Sequence, residues 1–428
     1  MLRYAAMFAA ILAVGAMAAW AARDDNDYPY IPYDHASLQY KKATPDDAIT
    51  RLQEKLDKGS TKLAYDPKFG YLPSLLRQLN VNIDSQMLVF SKTSFQGPKI
   101  SPAKPRALYF NDDVAVGFVQ DGDVMEFTAL DPKLGINFYT MEREKTDKPS
   151  FFRRTDECFS CHLIPGTLYV PGLLTTSVYP RPDGALRFQA AALFVDHRTP
   201  LDQRWGGWYV TGNAGDLQHR GNSVAPNPDQ PTILDLRNNQ NLTSLARRFD
   251  TTQYLTGTSD LIALMTLEHQ TRMTSLLTRL RWEYEVADKD GKLAQLQPRM
   301  EFLTDEIVSY MLFVGEAKMY NPMTGVSTFT ETFPQRGPKD KQGRSLRDFD
   351  LKTRLFRYPL SYMIYDQAFD ALPETAKATI YQKLFDVLTE KNKDEKFSRL
   401  SAADRHAILE ILSDTKSSVP DYWRAVAK

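Results

Sequence analysis

The chain has 428 residues, 53 Lys and Arg against 53 Asp and Glu, and 43% of it is apolar. That balance excludes a disordered protein, and a formal charge of zero argues against a nucleic-acid binder, which needs a basic face. Cys158 and Cys161 are the only cysteines, so a disulfide framework is excluded as well. At roughly 150 residues per domain the length suits two or three domains or one large one.

The N-terminus reads as a targeting segment. Arg3 supplies a basic start, residues 5–22 are apolar, and Asp24 and Asp25 follow at once. The small-residue ending Ala19-Trp20-Ala21 predicts a signal peptide over residues 1–21. An uncleaved anchor is the alternative, because the run approaches the ~20 residues that span a bilayer. Both readings put the remaining chain outside the cytoplasm, periplasmic or otherwise exported. No later segment is apolar enough to span a membrane. Without Arg3 the mature chain stays near neutral.

Residues 22–85 form an arm with helices. Thr44-Pro45-Asp46-Asp47 is a helix start, with Thr44 as N-cap, and the helix is expected to run to Lys58. A second short helix is expected over Leu72–Asn80. Residues 86–258 carry strand signals, at Gln86–Phe90, Arg106–Asn111, Asp113–Gln120 and Gly135–Met141. Further strands are expected at Val170–Val178, Leu186–Val195 and Trp208–Thr211, with Asp183-Gly184 as a hairpin turn. From residue 259 to 428 the period becomes helical. Ser259-Asp260 caps a helix reaching Ala287, and more follow at Thr304–Val314, Pro359–Ala371, Glu374–Glu390 and Ser401–Leu412. Phe333–Asp350 reads as a polar surface loop.

The chemistry lies in Cys158-Phe159-Ser160-Cys161-His162, the attachment pattern for c-type haem. Two thiols three positions apart reach the two vinyl groups on one porphyrin edge, and the adjacent His162 supplies an axial nitrogen to iron. Three other readings compete: a redox disulfide, half of a zinc site, and chance. The redox-disulfide reading needs a strand before the motif and a helix beginning at it. Arg153-Arg154-Thr155-Asp156 is a weak strand, and Pro165-Gly166 ends any helix within a turn.

Signal segment and motif together resemble bacterial c-type cytochromes. The wider chain resembles a family of large, single-haem exported bacterial proteins. The residues that suggest it are Arg106–Asn111, Gly206–Gly212, Leu267–Gln270 and Ser401–Leu412. The resemblance implies haem binding and electron transfer with a redox partner protein. The expected fold class is α+β, a mostly antiparallel sheet region carrying the haem-attachment loop, followed by a helical C-terminal region. It is not a small all-helical cytochrome c fold: the motif lies amid strands, and no Met occurs between Met141 and Met265.

For the far side of the iron, His269 is the leading candidate and His219 the alternative. Met265, His269 and Met273 share one helix face, which equally describes a core stripe with one satisfied histidine. An open sixth position stands beside them. His35 and His406 read as surface or helix-packing residues, and His197 as a turn residue. Trp205, Trp208, Tyr209 and Tyr169 are candidates to line a haem pocket, and Arg153, Arg154 and Arg204 to pair its propionates. The leading function is one-electron transfer. A peroxidase-like enzyme would need an acid–base group at an open iron, and Glu268, His269 and Arg272 lie close in sequence. A haem-based sensor that docks a partner is the third reading.

Overall fold

The computed structural model describes residues 28–187 and 190–426; the predicted signal segment lies outside them. The chain is α+β. Its sheet has seven antiparallel strands in the order β6-β5-β4-β3-β2-β1-β9. These are β1 (Met87–Val89), β2 (Arg106–Phe110), β3 (Val114–Phe118), β4 (Val124–Asp131), β5 (Gly135–Glu142), β6 (Phe152–Arg154) and β9 (Trp208–Tyr209). A separate pair joins β7 (Thr175–Ser177) to β8 (Leu193–Val195).

Alternation along the strands gives the sheet two faces. One presents Ala107, Tyr109, Val116, Phe127 and Tyr139 to α1 (Ala48–Asp57) and α2 (Leu72–Gln78), where Leu52 and Leu75 meet them. The other belongs to a larger core that also holds the helical region, from Tyr28 to Trp423. Its central member is α4 (Leu261–Lys289), 29 residues and roughly 44 Å long. α5 (Gln297–Met311), α8 (Glu374–Leu388) and α9 (Ala402–Thr415) pack beyond it, with short α6 (Phe329–Thr332), α7 (Gln367–Asp370) and α10 (Asp421–Val426). Asp260 caps α4 through Ile262 N–H and Ala263 N–H, and Ser401 caps α9, both where their sequences predict.

Several elements differ from expectation. Helix α1 starts four residues after Thr44, because buried Asp47 accepts from Ile49 N–H and Thr50 N–H. Strand β4 was not expected. The run expected at Val170–Val178 shrinks to β7, since Leu168 and Tyr169 take left-handed backbone before it. Of Leu186–Val195 only β8 is a strand, although the Asp183-Gly184 turn forms, with Arg181 N–H donating to Ala185 O. The helix expected over Pro359–Ala371 breaks at Asp366, which adopts extended backbone and caps α7. The loop 333–350 is not all surface. Ser345 and Leu346 are fully buried, and Arg347 stacks on Tyr362 while pairing with Asp112.

Candidate haem site

The motif does not form a loop. Strand β6 ends the sheet, Thr155 turns the chain, and α3 (Asp156–His162) carries all five motif residues. At about 100° per residue, Cys161, Cys158 and His162 fall within about 100° of one another on α3. All three are half-buried, and both thiols are free. Phe159 points the other way, into the core, against Tyr33 and Tyr40 at ring distances of 5.0 and 5.1 Å. That single anchor explains how a seven-residue helix, too short to stand alone, holds its place.

After α3 the chain doubles back. Pro165–Thr167 is one turn of 3-10 helix, and Leu168 and Tyr169 have positive φ. This hairpin brings Gly172 onto His162 from two sides. Gly172 N–H donates to His162 O at 3.1 Å, and His162 Nδ1 lies 2.9 Å from Gly172 O. A carbonyl only accepts, so the imidazole proton sits on Nδ1 and the lone pair on Nε2. Nε2 has no partner among the described residues. A side chain at 172 would crowd α4, because a Cβ there would lie 2.8 Å from Ser275 Oγ, which would have to turn away. Helix α4 holds the hairpin itself, as Arg279 Nη1 donates to Leu168 O at 2.9 Å.

Partial burial acts on the motif's titratable groups. Burial holds His162 below its usual pKa, against the opposing Gly172 hydrogen bond. Burial pushes the Cys158 thiol up to about 12, with Glu157 and Glu126 adding to it. A strand followed directly by a helix is the arrangement the redox-disulfide reading requires, so the sequence-level objection to that reading falls. The chemistry of Cys158 supplies a different one, since a reactive disulfide-exchange cysteine is held low in pKa, not high. No third His, Cys, Asp or Glu joins the motif as a metal cluster among the described residues, which leaves half a zinc site without its other half.

The residues present fit a covalently bound haem. Two free thiols one turn apart would form the thioethers. His162, oriented through Nδ1 as iron-ligating histidines are, would supply Nε2.

The two predicted distal histidines lie elsewhere. His269 is fully buried, with Nδ1 2.8 Å from His197 Nδ1 and Nε2 2.7 Å from Ser361 Oγ. Tyr310 and Phe313 stack on its ring. Both nitrogens are engaged, and His269 lies six to ten residues along α4 from Ser275 and Arg279, roughly 9–15 Å by helical rise. His219 is buried edge-on against Trp205. Its loop bonds to the chain around β9, at the opposite edge of the sheet from β6, where Asn222 N–H donates to Trp208 O. Met265 and Met273 are core residues. His197 ends β8 at a turn, as expected, but its side chain is buried.

The pocket and propionate candidates divide similarly. Tyr169 lies seven residues after the motif and is half-buried. Trp208 donates to Thr176 O and Tyr209 to Pro102 O, both from β9. Arg204 is consumed by Glu268, His197 O and Thr199 O. Arg153 donates through Nη1 to Ala43 O and through Nη2 to Tyr40 O, and its Nε has no partner among the described residues. Arg154 remains beside the motif, donating through Nε to Thr140 Oγ1 at 3.0 Å.

Sequence reasoning missed three residues near the motif. Phe138 packs its ring 4.9 Å from that of His162. Arg106 and Glu126 both act electrostatically on His162. The alternation Met125, Phe127, Ala129 against Glu126, Thr128 was the signal for β4 and hence for Glu126.

No family model matches the chain, and no curated protein and no solved structure matches it.

Proposed function

We propose that this protein is an exported, single-haem c-type cytochrome that moves electrons one at a time to and from a redox partner protein. The observation that supports it most is the double hold of Gly172 on His162 beside two free thiols. It presents Nε2 as a bare ligand on the same helix face as Cys158 and Cys161. Bound there, haem supplies an iron that cycles between ferrous and ferric states. The chain's own residues do the rest. Cys158 and Cys161 add their S–H groups across the vinyl bonds and tether one edge. The carbonyl of Gly172 fixes the tautomer and direction of His162. Phe138 packs against His162, and Phe159 anchors the motif helix in the core. The near-neutral mature chain gives no strong long-range steering, so partner docking is local. No described helix is long and apolar enough to cross a membrane.

A second reading, a haem enzyme or sensor with an exchangeable sixth position, draws support from the placement of His269 and His219 away from the motif.

The test is expression of the full chain with c-type maturation machinery, followed by visible spectra of both redox states after acid extraction. Retained haem that is lost in Cys158→Ala/Cys161→Ala supports the proposal, and a haem-free chain overturns it. A six-coordinate low-spin spectrum favours electron transfer; a five-coordinate high-spin spectrum favours the enzyme or sensor.

A further inference from the structure

The face of the sheet that belongs to the larger core is incompletely covered. Helix α4 lies against one end of it: a Cβ on Gly135 would come 2.6 Å from Thr278 Cγ2. The rest is set out by the strand register. One row across the strands runs Phe110–Ala115–Thr128–Phe138–Arg154, and the next runs Leu108–Gly117–Glu126–Thr140–Phe152. The middle of the first row is small, Ala115 and Thr128, while Gly117 in the second is covered by the side chains of Glu126 and Leu108. Large apolar groups stand on both sides, Leu108 and Phe110 on β2, Phe138 and Phe152 on β5 and β6. The result is a hollow with apolar walls. Leu108, Ala115 and Thr128 are only half-buried, although they sit in the centre of a seven-stranded sheet. Their row neighbours Phe110 and Phe138 are 1% and 3% exposed, so the cover gives out over the small residues between them. The α3 face carrying Cys158, Cys161 and His162 stands at the edge of this hollow, with His162 packed on Phe138.

One charged pair borders it. Arg106 and Glu126 meet at 2.9 Å, with side chains 16% and 17% exposed. Glu126 also accepts from Ser94 Oγ and Gln96 Nε2, both at 2.7 Å. Its charge is therefore shared among three donors. Arg106 spends only Nη1 on it, and its Nε is buried without a partner among the described residues. A buried, unpaired guanidinium N–H costs free energy unless an acceptor arrives. Arg204 has its acceptors, and Arg153, whose Nε is also without a partner among the described residues, lies by register in the row of Tyr139 on the opposite face.

We infer that the hollow over Ala115 and Thr128 is the seat for one face of the haem, and that Arg106 pairs with a haem propionate at its rim. This rests on the haem reading above and adds the surface that receives the group. A carboxylate at Arg106 would satisfy the orphaned Nε–H in the bidentate manner guanidinium groups favour.

The experiment uses the matured full chain and three variants, Ala115→Phe, Arg106→Leu and Arg106→Lys. Haem content is read as the Soret-to-protein absorbance ratio, haem environment by Soret circular dichroism, and potential by redox titration. Folding is read separately, by far-UV circular dichroism and melting of each variant in the haem-free Cys158→Ala/Cys161→Ala background. Ala115→Phe fills the hollow and is expected to lower haem content several-fold while the haem-free chain folds as before. Arg106→Leu is expected to keep its haem and lose potential, because a positive charge beside the group favours the ferrous state; Arg106→Lys recovers most of the shift. Full haem content with an unchanged Soret dichroism in Ala115→Phe overturns the seat. An unmoved potential in Arg106→Leu overturns the propionate assignment. If Ala115→Phe does not fold, Thr128→Leu replaces it under the same two outcomes. A wild-type chain without covalent haem overturns the parent reading instead, and is distinguished by the wild-type spectrum alone.

Discussion

His162 Nδ1 and the carbonyl oxygen of Gly172 lie 2.9 Å apart, ten residues from each other in the chain. The contact exists only because the segment between them folds back on itself, and Ser275 on α4 would have to give way to a Cβ at residue 172. Gly172→Val is expected to push this segment off Ser275, at a cost of about 1–3 kcal/mol from overpacking. In the matured protein haem would still attach, since both thiols remain. His162 would lose its orienting acceptor, and the ferric spectrum would gain a high-spin component. Visible and electron paramagnetic resonance spectra of the variant check this.

His269 offers a contrast, because both its nitrogens already have partners within the core. His269→Ala is expected to leave the visible spectrum of the matured protein unmoved. It should lower stability by about 2–4 kcal/mol, from the cavity and the two lost hydrogen bonds. Spectra and urea unfolding of one sample measure both effects.

Burial lowers the pKa of His219 to about 4. In the unfolded chain it titrates near its ordinary 6.5. Above that pH both states are neutral and the contribution is present in full. As pH falls from 6.5, the unfolded state takes up the proton first. Stability therefore declines and this contribution is gone once pH passes through about 4, a loss on the order of 3 kcal/mol. His219→Gln should flatten that slope between pH 6.5 and 4. Urea midpoints measured across the window test it.

Arg204 and Glu268 form an ion pair at 2.8 Å with side chains 2% and 0% exposed. Burial raises Glu268 to about 7, against the opposing charge of Arg204. Removing one partner strands the other, so Arg204→Met is expected to cost about 3–5 kcal/mol. Adding Glu268→Leu should recover most of that loss. A double-mutant cycle by chemical denaturation gives the coupling directly.

Local signals were enough for some elements. Asp260 and Ser401 are capping residues whose side chains bond the first free N–H groups, a nearest-neighbour interaction that any reader of the chain can find. Helix α3 gave no such signal. Seven residues are too few for a period, and the helix stands because Phe159 finds Tyr33, Tyr40 and Phe138 from distant segments. The arginines near the motif show the same limit. Arg153, Arg154 and Arg204 look equally available in sequence, yet two are taken by carbonyl groups brought in by folding. Arg106, some fifty residues before the motif, has a buried N–H unspent on the same sheet face as Phe138.

The order of residues alone therefore determined the α+β class, the long capped helix and the Cys158, Cys161, His162 spacing, because periodicity, caps and covalent reach are short-range properties. Tertiary structure alone decided which imidazole nitrogen of His162 is bare, which histidines are used up in the core, and that a hollow of small residues on the sheet faces the motif. Those depend on registers and packing between segments ten to more than a hundred residues apart, and no local pattern encodes which of them will meet.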